Sequence, residues 1–320
     1  MKQRRMIITQ NLDKRYIEQI QSLIPNWELI VGRDRIVWEE HLKEAEVIAG
    51  WKKEMKELVL QGESSLRWVQ TWSAGVNSLP LTDLQAQDIQ ITSANGVHAY
   101  PISETIFALM LSLTRKIHTY VRNQQTKMWH HSGMKLELHG KTVGIFGVGA
   151  IGQETAKIAK AFGMKVIGFR HSGKPAEYVD EMYKTTNMND ILPKLDYVVI
   201  TLPLTKQTYQ LFGAEQFERM KSSSFLINIS RGEVIDEKAL IRALKHERIA
   251  GAGLDVFETE PLQEESPLWE LENVIVTPHT SGSTEYYDER VVKDILIPNL
   301  KNYLEAEPFS INLVDYQKGY

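Results

Sequence analysis

The sequence predicts an α/β fold of two doubly wound parallel sheets. Short apolar runs recur along the 320 residues, and segments whose apolar positions repeat with helical spacing separate most of them. Strands that alternate with helices favour parallel sheets joined by crossover helices. The chain is also long enough for two domains, each with its own hydrophobic core. We therefore expect two sheets with helices on both faces.

The composition is that of a globular protein, with 42% hydrophobic and 24% charged residues. The net charge is −4 and the basic residues are spread along the chain, so we expect no nucleic-acid partner. Cysteine is absent, which excludes disulfides, thiolate metal sites and a cysteine nucleophile. No apolar run reaches membrane-spanning length and no signal-peptide pattern follows the first residues. We therefore expect no membrane partner and a cytoplasmic location.

The first part of the chain alternates strands and helices. Apolar runs predict strands at residues 5–9, 27–31, 47–51 and 68–72. Leu12, Tyr16, Ile20 and Leu23 repeat with helical spacing, and a charged helix is expected at residues 52–60. This pattern predicts a first α/β domain, although it contains no Gly-x-Gly-x-x-Gly turn.

A long helix connects the two parts and is predicted over residues 103–125, with Ser103 as its N-cap after Pro101. Later strands are predicted at residues 143–146, 165–169, 197–200, 225–229, 251–255 and 274–277. A helix is expected near residues 239–245. The tail, residues 286–304, predicts a further helix that Pro298 kinks or splits.

The most informative motif is a glycine turn between the strand at 143–146 and a helical segment. A strand, a Gly-x-Gly-x-x-Gly turn and a helix together form a dinucleotide-binding fingerprint. Gly147 allows a tight turn, Gly149 lets a pyrophosphate approach the backbone, and Gly152 lets helix and strand pack closely. The first helical residues, Ala150 and Ile151, would offer free N–H groups to that pyrophosphate. The alternative is a glycine-rich turn in some other α/β protein.

These observations predict the domain boundaries. We expect a Rossmann dinucleotide-binding domain at residues 99–285. The tail would cross back, so that residues 1–98 and 286–320 form a flavodoxin-like domain into which the Rossmann domain is inserted.

Two loops of the first part, at residues 72–77 and 93–98, place small residues and glycine directly after strand-like runs. Exposed N–H groups near Gly75 and Val76 could hold a small carboxylate, or the loops could be plain turns between strand and helix. The adjacent His130 and His131 suggest a metal site at first sight. No further ligand spacing completes one, so we predict no metal.

Ionisable residues follow the predicted strand ends of the second part: Arg231, Asp255, Glu260 and His279. In a doubly wound sheet these ends converge on one cleft. An arginine can pair with a carboxylate through two hydrogen bonds, and a histidine can donate a proton near neutral pH. A neighbouring glutamate favours the imidazolium form. These groups suit the reduction of a 2-keto acid; alternatively, each is a surface charge or a capped strand end.

The chain resembles the D-isomer-specific 2-hydroxyacid dehydrogenases from Gly75 to its end. The shared segments are GVGAIG at 147–152, TLPLT at 201–205, INISRGEVID at 227–236, AGLDVFETEPL at 252–262 and TPHTSG at 277–282. Val314, Asp315, Gly319 and Tyr320 at the end also match, whereas Asn77 replaces the usual aspartate.

The resemblance implies residue roles. Arg231 would bind the substrate carboxylate and carbonyl, His279 would be the acid and base, and Glu260 would orient and charge His279. Asp255 would hydrogen-bond the nicotinamide carboxamide. The resemblance also resolves the open question about the first loop, because the family binds the substrate carboxylate there. The implied substrate contacts in that loop are Ala74, Gly75 and Val76. Further implied cofactor contacts, besides the glycine turn and His279, are Leu202, Pro203, Thr208 and Ile229.

One departure concerns the choice of cofactor. The fingerprint usually places an acidic residue about twenty positions on, where it bonds the ribose 2′-OH. This chain has Arg170 there, followed by His171 and Ser172. Because an arginine can pair with a 2′-phosphate, we predict that NADP(H) is preferred, with NAD(H) possible.

The sequence therefore predicts a reductase of a small 2-keto acid such as glyoxylate or hydroxypyruvate, forming the D-2-hydroxy acid. The alternatives are a phosphoglycerate dehydrogenase-like enzyme and a non-catalytic sensor related to the family's corepressors. The family also suggests a homodimer, formed through the long helix and the loops beside it.

Overall fold

The computed structural model describes residues 3–76, 78–131, 133 and 135–317. Asn77, Gly319 and Tyr320, which entered the family resemblance, lie outside the described residues. The chain forms two compact units. The first takes the residues up to Val97 and those from Thr284 onward, and the second is His98–Ser283.

The first unit contains a five-stranded parallel sheet with the strand order β2-β1-β3-β4-β5. Its strands are β1 Arg5–Ile8, β2 Glu28–Val31, β3 Val47–Ala49, β4 Trp68–Gln70 and β5 Gln90–Thr92. This order, with its reversal beside β1, is that of the flavodoxin-like doubly wound fold, which confirms the predicted fold class. The sequence indicated β5 only as a strand-like run before residue 93, because Ile91 is its single apolar residue.

The second unit contains a seven-stranded sheet with the order β12-β11-β10-β9-β6-β7-β8, in which all neighbouring strands are parallel. Its strands are β6 Thr142–Phe146, β7 Lys165–Phe169, β8 Glu181–Tyr183, β9 Tyr197–Ile200, β10 Phe225–Asn228, β11 Gly251–Leu254 and β12 Val274–Val276. The reversal between β6 and β9 is the Rossmann switch point, where ligands bind beyond the strand ends. The partly buried β8 lacks an apolar run, so the sequence did not predict it.

Helices cover both sheets. They are α1 Lys14–Leu23, α2 Arg35–Trp38, α3 Met55–Leu60, α4 Leu81–Ala86, α5 Ala99–Thr114, α6 Ile117–Gln125, α7 Ala150–Ala161, α8 Met188–Ile191, α9 Ala214–Arg219, α10 Glu237–Lys245, α11 Tyr287–Arg290 and α12 Ile297–Leu304. Short 3₁₀ turns are Glu39–Glu44, Thr185–Asn187, Leu192–Lys194, Gly232–Val234 and Pro267–Trp269. No helix of the described residues combines the length and the hydropathy needed to cross a membrane.

The tail packs on the first unit. Its buried Val292, Leu296 and Leu300 share one apolar cluster with Met6 and Ile8 of β1. A π-helical segment, Val291–Leu296, separates α11 from α12, and Pro298 lies in the first turn of α12. The helical path continues from α11 through this segment into α12, so Pro298 lies where the hydrogen-bond pattern changes from π to α.

The predicted long helix is wrong in two respects. The segment forms two helices, α5 and α6, rather than one. They are separated at Lys116, whose φ of +52° ends the helical path. Ser103 is not an N-cap, because α5 already begins at Ala99 and Pro101 lies in its first turn. Ser103 is instead fully buried, with its Oγ 3.2 Å from Oγ1 of Thr155 on α7.

Candidate active site

The glycine turn after β6 has the geometry that each glycine suggests. Gly147 has a φ of +106°, and a Cβ there would lie 2.8 Å from the carbonyl oxygen of Thr201. A Cβ on Gly152 would lie 2.3 Å from the carbonyl oxygen of Gly147. Around Gly149, by contrast, a Cβ would meet nothing within 4 Å. Two glycines therefore permit close packing, and the third leaves room for an approaching ligand.

The turn leads into the N-terminus of α7, where Gly149 is the N-cap residue. Ala150 is exposed and Ile151 is partly exposed. The first N–H groups of a helix lack intrahelical acceptors, and the helix dipole favours negative charge beside them. This end of α7 can therefore bind the pyrophosphate of a dinucleotide.

Arg170 follows β7 and reaches the glycine turn. Its Nε donates to the carbonyl oxygen of Val148 at 2.9 Å, and its Nη2 donates to the same oxygen. The backbone also connects the two segments, because the N–H of Gly147 donates to the carbonyl oxygen of Phe169 at 2.9 Å. His171 and Ser172 come next and are exposed. A guanidinium thus lies where the fingerprint usually has a carboxylate.

The segments after β9 and β10 carry the other expected cofactor contacts. Oγ1 of Thr208 donates to the carbonyl oxygen of Pro203 at 2.7 Å, which closes the loop after β9. Leu202 is partly buried against the apolar core, and Ile229 is 5% exposed. Oγ1 of Thr201 donates to the carbonyl oxygen of Gly147 at 2.6 Å, so the start of this loop contacts the glycine turn.

Glu260 and His279 form a hydrogen-bonded pair. Oε2 of Glu260 lies 2.7 Å from Nδ1 of His279, and Oε1 accepts the N–H of Phe257 at 3.0 Å. Because a carboxylate accepts, the pairing assigns the Nδ1 proton to the bond and leaves Nε2 for other chemistry. The imidazole is 47% exposed. The pair therefore has the arrangement of an oriented acid–base histidine.

Asp255 supports the turn that carries His279. Its carboxylate accepts the Thr277 hydroxyl at 2.5 Å and the N–H groups of Thr280 and Ser281, each at 3.0 Å. The carbonyl oxygen of Asp255 accepts the N–H of His279 at 2.9 Å. His279 has a φ of +51°, an uncommon conformation for a residue other than glycine, and these bonds stabilise it.

Asp255, the expected contact of a nicotinamide carboxamide, is held by hydrogen bonds from its own turn. The residue is fully buried. Its carboxylate oxygens accept three donors from the turn that carries His279. The geometry favours Asp255 as the residue that positions His279.

Arg231 is an exposed residue in the loop after β10, where the buried Asn228 shapes the backbone. Nδ2 of Asn228 donates to the carbonyl oxygen of Arg231 at 3.1 Å, and its Oδ1 accepts the Ser230 hydroxyl at 2.9 Å. Among the described residues, no hydrogen bond joins the Arg231 side chain to Glu260 or His279. Its Nη1 donates to the carbonyl oxygen of Ser230 at 2.7 Å.

The expected substrate loop of the first unit follows β4. Gly75 is exposed, Ala74 is partly exposed and Val76 is buried. Oγ of Ser73 donates to the carbonyl oxygen of Gly75 at 2.8 Å, and the N–H of Ala94 donates to the carbonyl oxygen of Ser73 at 3.0 Å. In both bonds the acceptor is a backbone carbonyl oxygen of the loop, that of Gly75 or that of Ser73.

Sequence reasoning missed the side chains that hold the catalytic candidates in place. Asn228 and Thr277 each lie at the end of a strand or directly after it, and each bonds to the loop that follows. The available signal was a polar residue that interrupts or ends an apolar run directly before a catalytic candidate. His130 and His131, which the sequence placed in a loop, are exposed.

Comparison with known proteins decides the family. The sequence model of the D-isomer specific 2-hydroxyacid dehydrogenase NAD-binding domain matches residues 107–281, more than half of the chain. The chain belongs to the D-isomer specific 2-hydroxyacid dehydrogenases. The matched segment contains the glycine turn, Arg170, Arg231, Glu260 and His279.

Relatives of this dehydrogenase are similar along almost its whole length. A glyoxylate reductase of Thermococcus litoralis is 34% identical, covering 95% of this chain and 94% of that enzyme. One from Korarchaeum cryptofilum is 30% identical, covering 98% and 93%. The NADPH-dependent glyoxylate/hydroxypyruvate reductase of Sinorhizobium meliloti, solved with NADP and sulfate, is 27% identical with a TM-score of 0.81. That likeness covers 99% of this chain and 100% of that one.

Family membership establishes the class of chemistry. The protein is an oxidoreductase that binds a nicotinamide dinucleotide, and the matched domain is the one that binds it. The alternative of a non-catalytic sensor is therefore set aside.

Proposed function

We propose that this dehydrogenase reduces a small 2-keto acid, such as glyoxylate or hydroxypyruvate, to the D-2-hydroxy acid with NADP(H). The Glu260–His279 pair carries the proposal, because a carboxylate bonded at 2.7 Å to a half-exposed imidazole provides an oriented proton donor. Reduction of a ketone needs such a donor next to a hydride source. The relatives named glyoxylate reductase support the choice of substrate class.

The residues of the glycine turn fit the cofactor. The open space at Gly149 and the N–H groups of Ala150 and Ile151 would hold its pyrophosphate. The bound cofactor supplies the hydride. We assign the remaining expected contacts to the same ligand as part of the proposal: His171, Ser172, Leu202, Pro203, Thr208, Ile229 and Asp255.

The protein's own residues would bind and polarise the substrate. Arg231 would pair with the carboxylate and the carbonyl oxygen, which favours negative charge developing on that oxygen. His279 would then give its proton from Nε2 to the oxygen, while Glu260 holds the ring and stabilises its positive charge. Ala74, Gly75 and Val76 stay proposed contacts for the substrate carboxylate through their N–H groups.

A substrate panel tests the proposal. Oxidation of NADPH and NADH is followed by absorbance with glyoxylate, hydroxypyruvate, pyruvate and a longer 2-keto acid, and 3-phosphoglycerate is tested in the opposite direction. We expect the highest kcat/KM with glyoxylate or hydroxypyruvate and formation of the D-isomer where the product is chiral. Faster turnover of 3-phosphoglycerate would favour the phosphoglycerate dehydrogenase alternative. Formation of an L-product would contradict the proposal.

Arg170 should determine the preference for NADP(H). We expect Arg170→Asp to lower kcat/KM for NADPH about 10- to 100-fold, since a charge-assisted hydrogen bond contributes about 1.5–3 kcal/mol. The new carboxylate would repel the 2′-phosphate, and it could accept the 2′-OH of NADH. Arg33→Asp, the same charge change at an exposed residue of the first unit, is the control. A wild-type preference for NADH would contradict this proposal.

We also propose a homodimer in which a second copy covers the exposed apolar side chains of α6 and the segment after it. Ile117 and Val121 are 48% and 51% exposed, and Trp129 is 97% exposed. Apolar side chains with this much solvent exposure, close together in the chain, are typical of protein interfaces. Light scattering should give twice the 36.7 kDa mass of the chain. A Val121→Ser/Trp129→Ser variant should shift towards monomer, whereas Trp269→Ser should not; a monomeric wild type would contradict the proposal.

A further inference from the structure

Two glutamates outside the proposed mechanism bind each other's backbone. The N–H of Glu237 donates to Oε1 of Glu258 at 3.1 Å, and the N–H of Glu258 donates to Oε2 of Glu237 at 3.1 Å. Glu237 is the first residue of α10, where an N–H lacks an intrahelical acceptor and negative charge is favourable. The pair, here named the glutamate clasp, joins the start of α10 to the segment after β11.

The clasp reinforces a close contact between two backbones. A Cβ on Gly232 would lie 1.9 Å from the carbonyl carbon of Phe257 and 2.3 Å from the nitrogen of Glu258. Only glycine leaves room for this approach. Gly232 directly follows Arg231, so the segment that carries the guanidinium lies against the segment that leads to Glu260.

A shift of the segment that leads to Glu260 would displace His279, the proposed proton donor. The N–H of Phe257 donates to Oε1 of Glu260 at 3.0 Å, and Oε2 of the same carboxylate lies 2.7 Å from Nδ1 of His279. Phe257 is buried and adjoins Glu258 in the chain. The orientation of Glu260 therefore depends on where the clasp holds this backbone.

Attraction between the two side chains does not explain the clasp. Burial raises the pKa of Glu237, and the charge of Glu258 raises it further, while the bond from the Glu258 N–H opposes both. Two like charges near each other repel. What the pair contributes is two hydrogen bonds from backbone N–H groups to carboxylates, which are strong because the acceptors are charged.

We propose that the glutamate clasp keeps the Arg231 segment and the Glu260 segment in register, which makes Glu237 and Glu258 positioning residues for the reduction. The inference rests on the proposed function, because it assigns the clasp to the same catalytic groups. Glu237 and Glu258 act through the backbone and do not touch the substrate.

Replacing Glu258 by alanine or by glutamine separates the loss of its hydrogen-bond acceptor from the loss of its charge. Glu258→Ala removes the acceptor for the Glu237 N–H, and we expect kcat with glyoxylate to fall about 10- to 100-fold, as small displacements of catalytic groups do. The KM for the keto acid should rise as well, since a displaced Arg231 binds the ground state less well, whereas the Kd for NADPH should stay unchanged. Glu258→Gln keeps an oxygen that can accept the bond, so it should restore most of kcat. Glu264→Ala, at an exposed acid of the same region, is the matched control.

The variants are assayed below their melting temperatures, so that a loss of stability is not read as a loss of catalysis. A Glu258→Ala enzyme with a lower Tm but the wild-type kcat would show a purely structural clasp and overturn the inference. So would a glutamine variant as impaired as the alanine variant. If alanine prevents folding, Glu258→Asp shortens the side chain, and the same loss of kcat is expected. A wild type inactive on every keto acid overturns the proposed function and this inference together, whereas an active wild type with an unaffected Glu258→Ala overturns the inference alone.

Discussion

Replacement of His279 by alanine is expected to lower kcat for keto-acid reduction by about 10²- to 10⁴-fold, the usual contribution of general acid–base catalysis. The imidazole is 47% exposed and bonded to Glu260 at 2.7 Å, so it is both oriented and accessible. The glycine turn does not depend on the His279 side chain, so the Kd for NADPH should stay close to that of the wild type. Steady-state kinetics and NADPH fluorescence titration measure the two quantities.

The control for this prediction is His246→Ala, which removes an exposed imidazole at the end of α10. It should leave kcat unchanged. Glu260→Gln should give an intermediate kcat, because the amide still accepts a hydrogen bond but no longer stabilises a positive ring. Full turnover by the His279→Ala enzyme would refute its role as the acid.

Replacement of Arg231 by alanine should lower kcat/KM for the keto acid by about 30- to 4,000-fold. Loss of one partner of a hydrogen-bonded charge pair costs about 2–5 kcal/mol, and each 1.4 kcal/mol is about tenfold. The effect should appear in both KM and kcat, since the guanidinium would bind the ground state and also the developing oxyanion. The measurement is steady-state kinetics at saturating NADPH.

Arg231→Lys tests the geometry of that contact. Lysine keeps the charge but lacks the planar fork, so it should recover only part of kcat/KM. Arg219→Ala, on the surface helix α9, is the control and should behave as the wild type. An Arg231→Ala enzyme with unchanged KM and kcat would mean that another group binds the substrate carboxylate.

The fold could be predicted where hydrophobic patterns are long. The run at residues 165–169 and the run at 197–200 coincide with β7 and β9, because continuous apolar residues favour strands buried on both faces. β8 was not predicted and β5 was indicated only as a strand-like run, because neither contains a continuous apolar run. The start of α5 was misplaced because Ser103, a residue favoured at N-caps, is buried in the helix interior by its contact with Thr155.

The sequence by itself determined the chemical groups of this protein: the glycines of the turn, Arg170 after β7, and Arg231, Glu260 and His279 near strand ends. Residue type and local spacing suffice for that, since a turn or a strand end depends on its near neighbours. Only the tertiary structure decided what these groups touch. It brings Glu260 to His279, directs Arg170 to Val148, buries Asp255 under the His279 turn, and joins Glu237 to Glu258. Such contacts connect residues far apart in the chain, and they depend on the path of the backbone between strands, which local patterns do not encode.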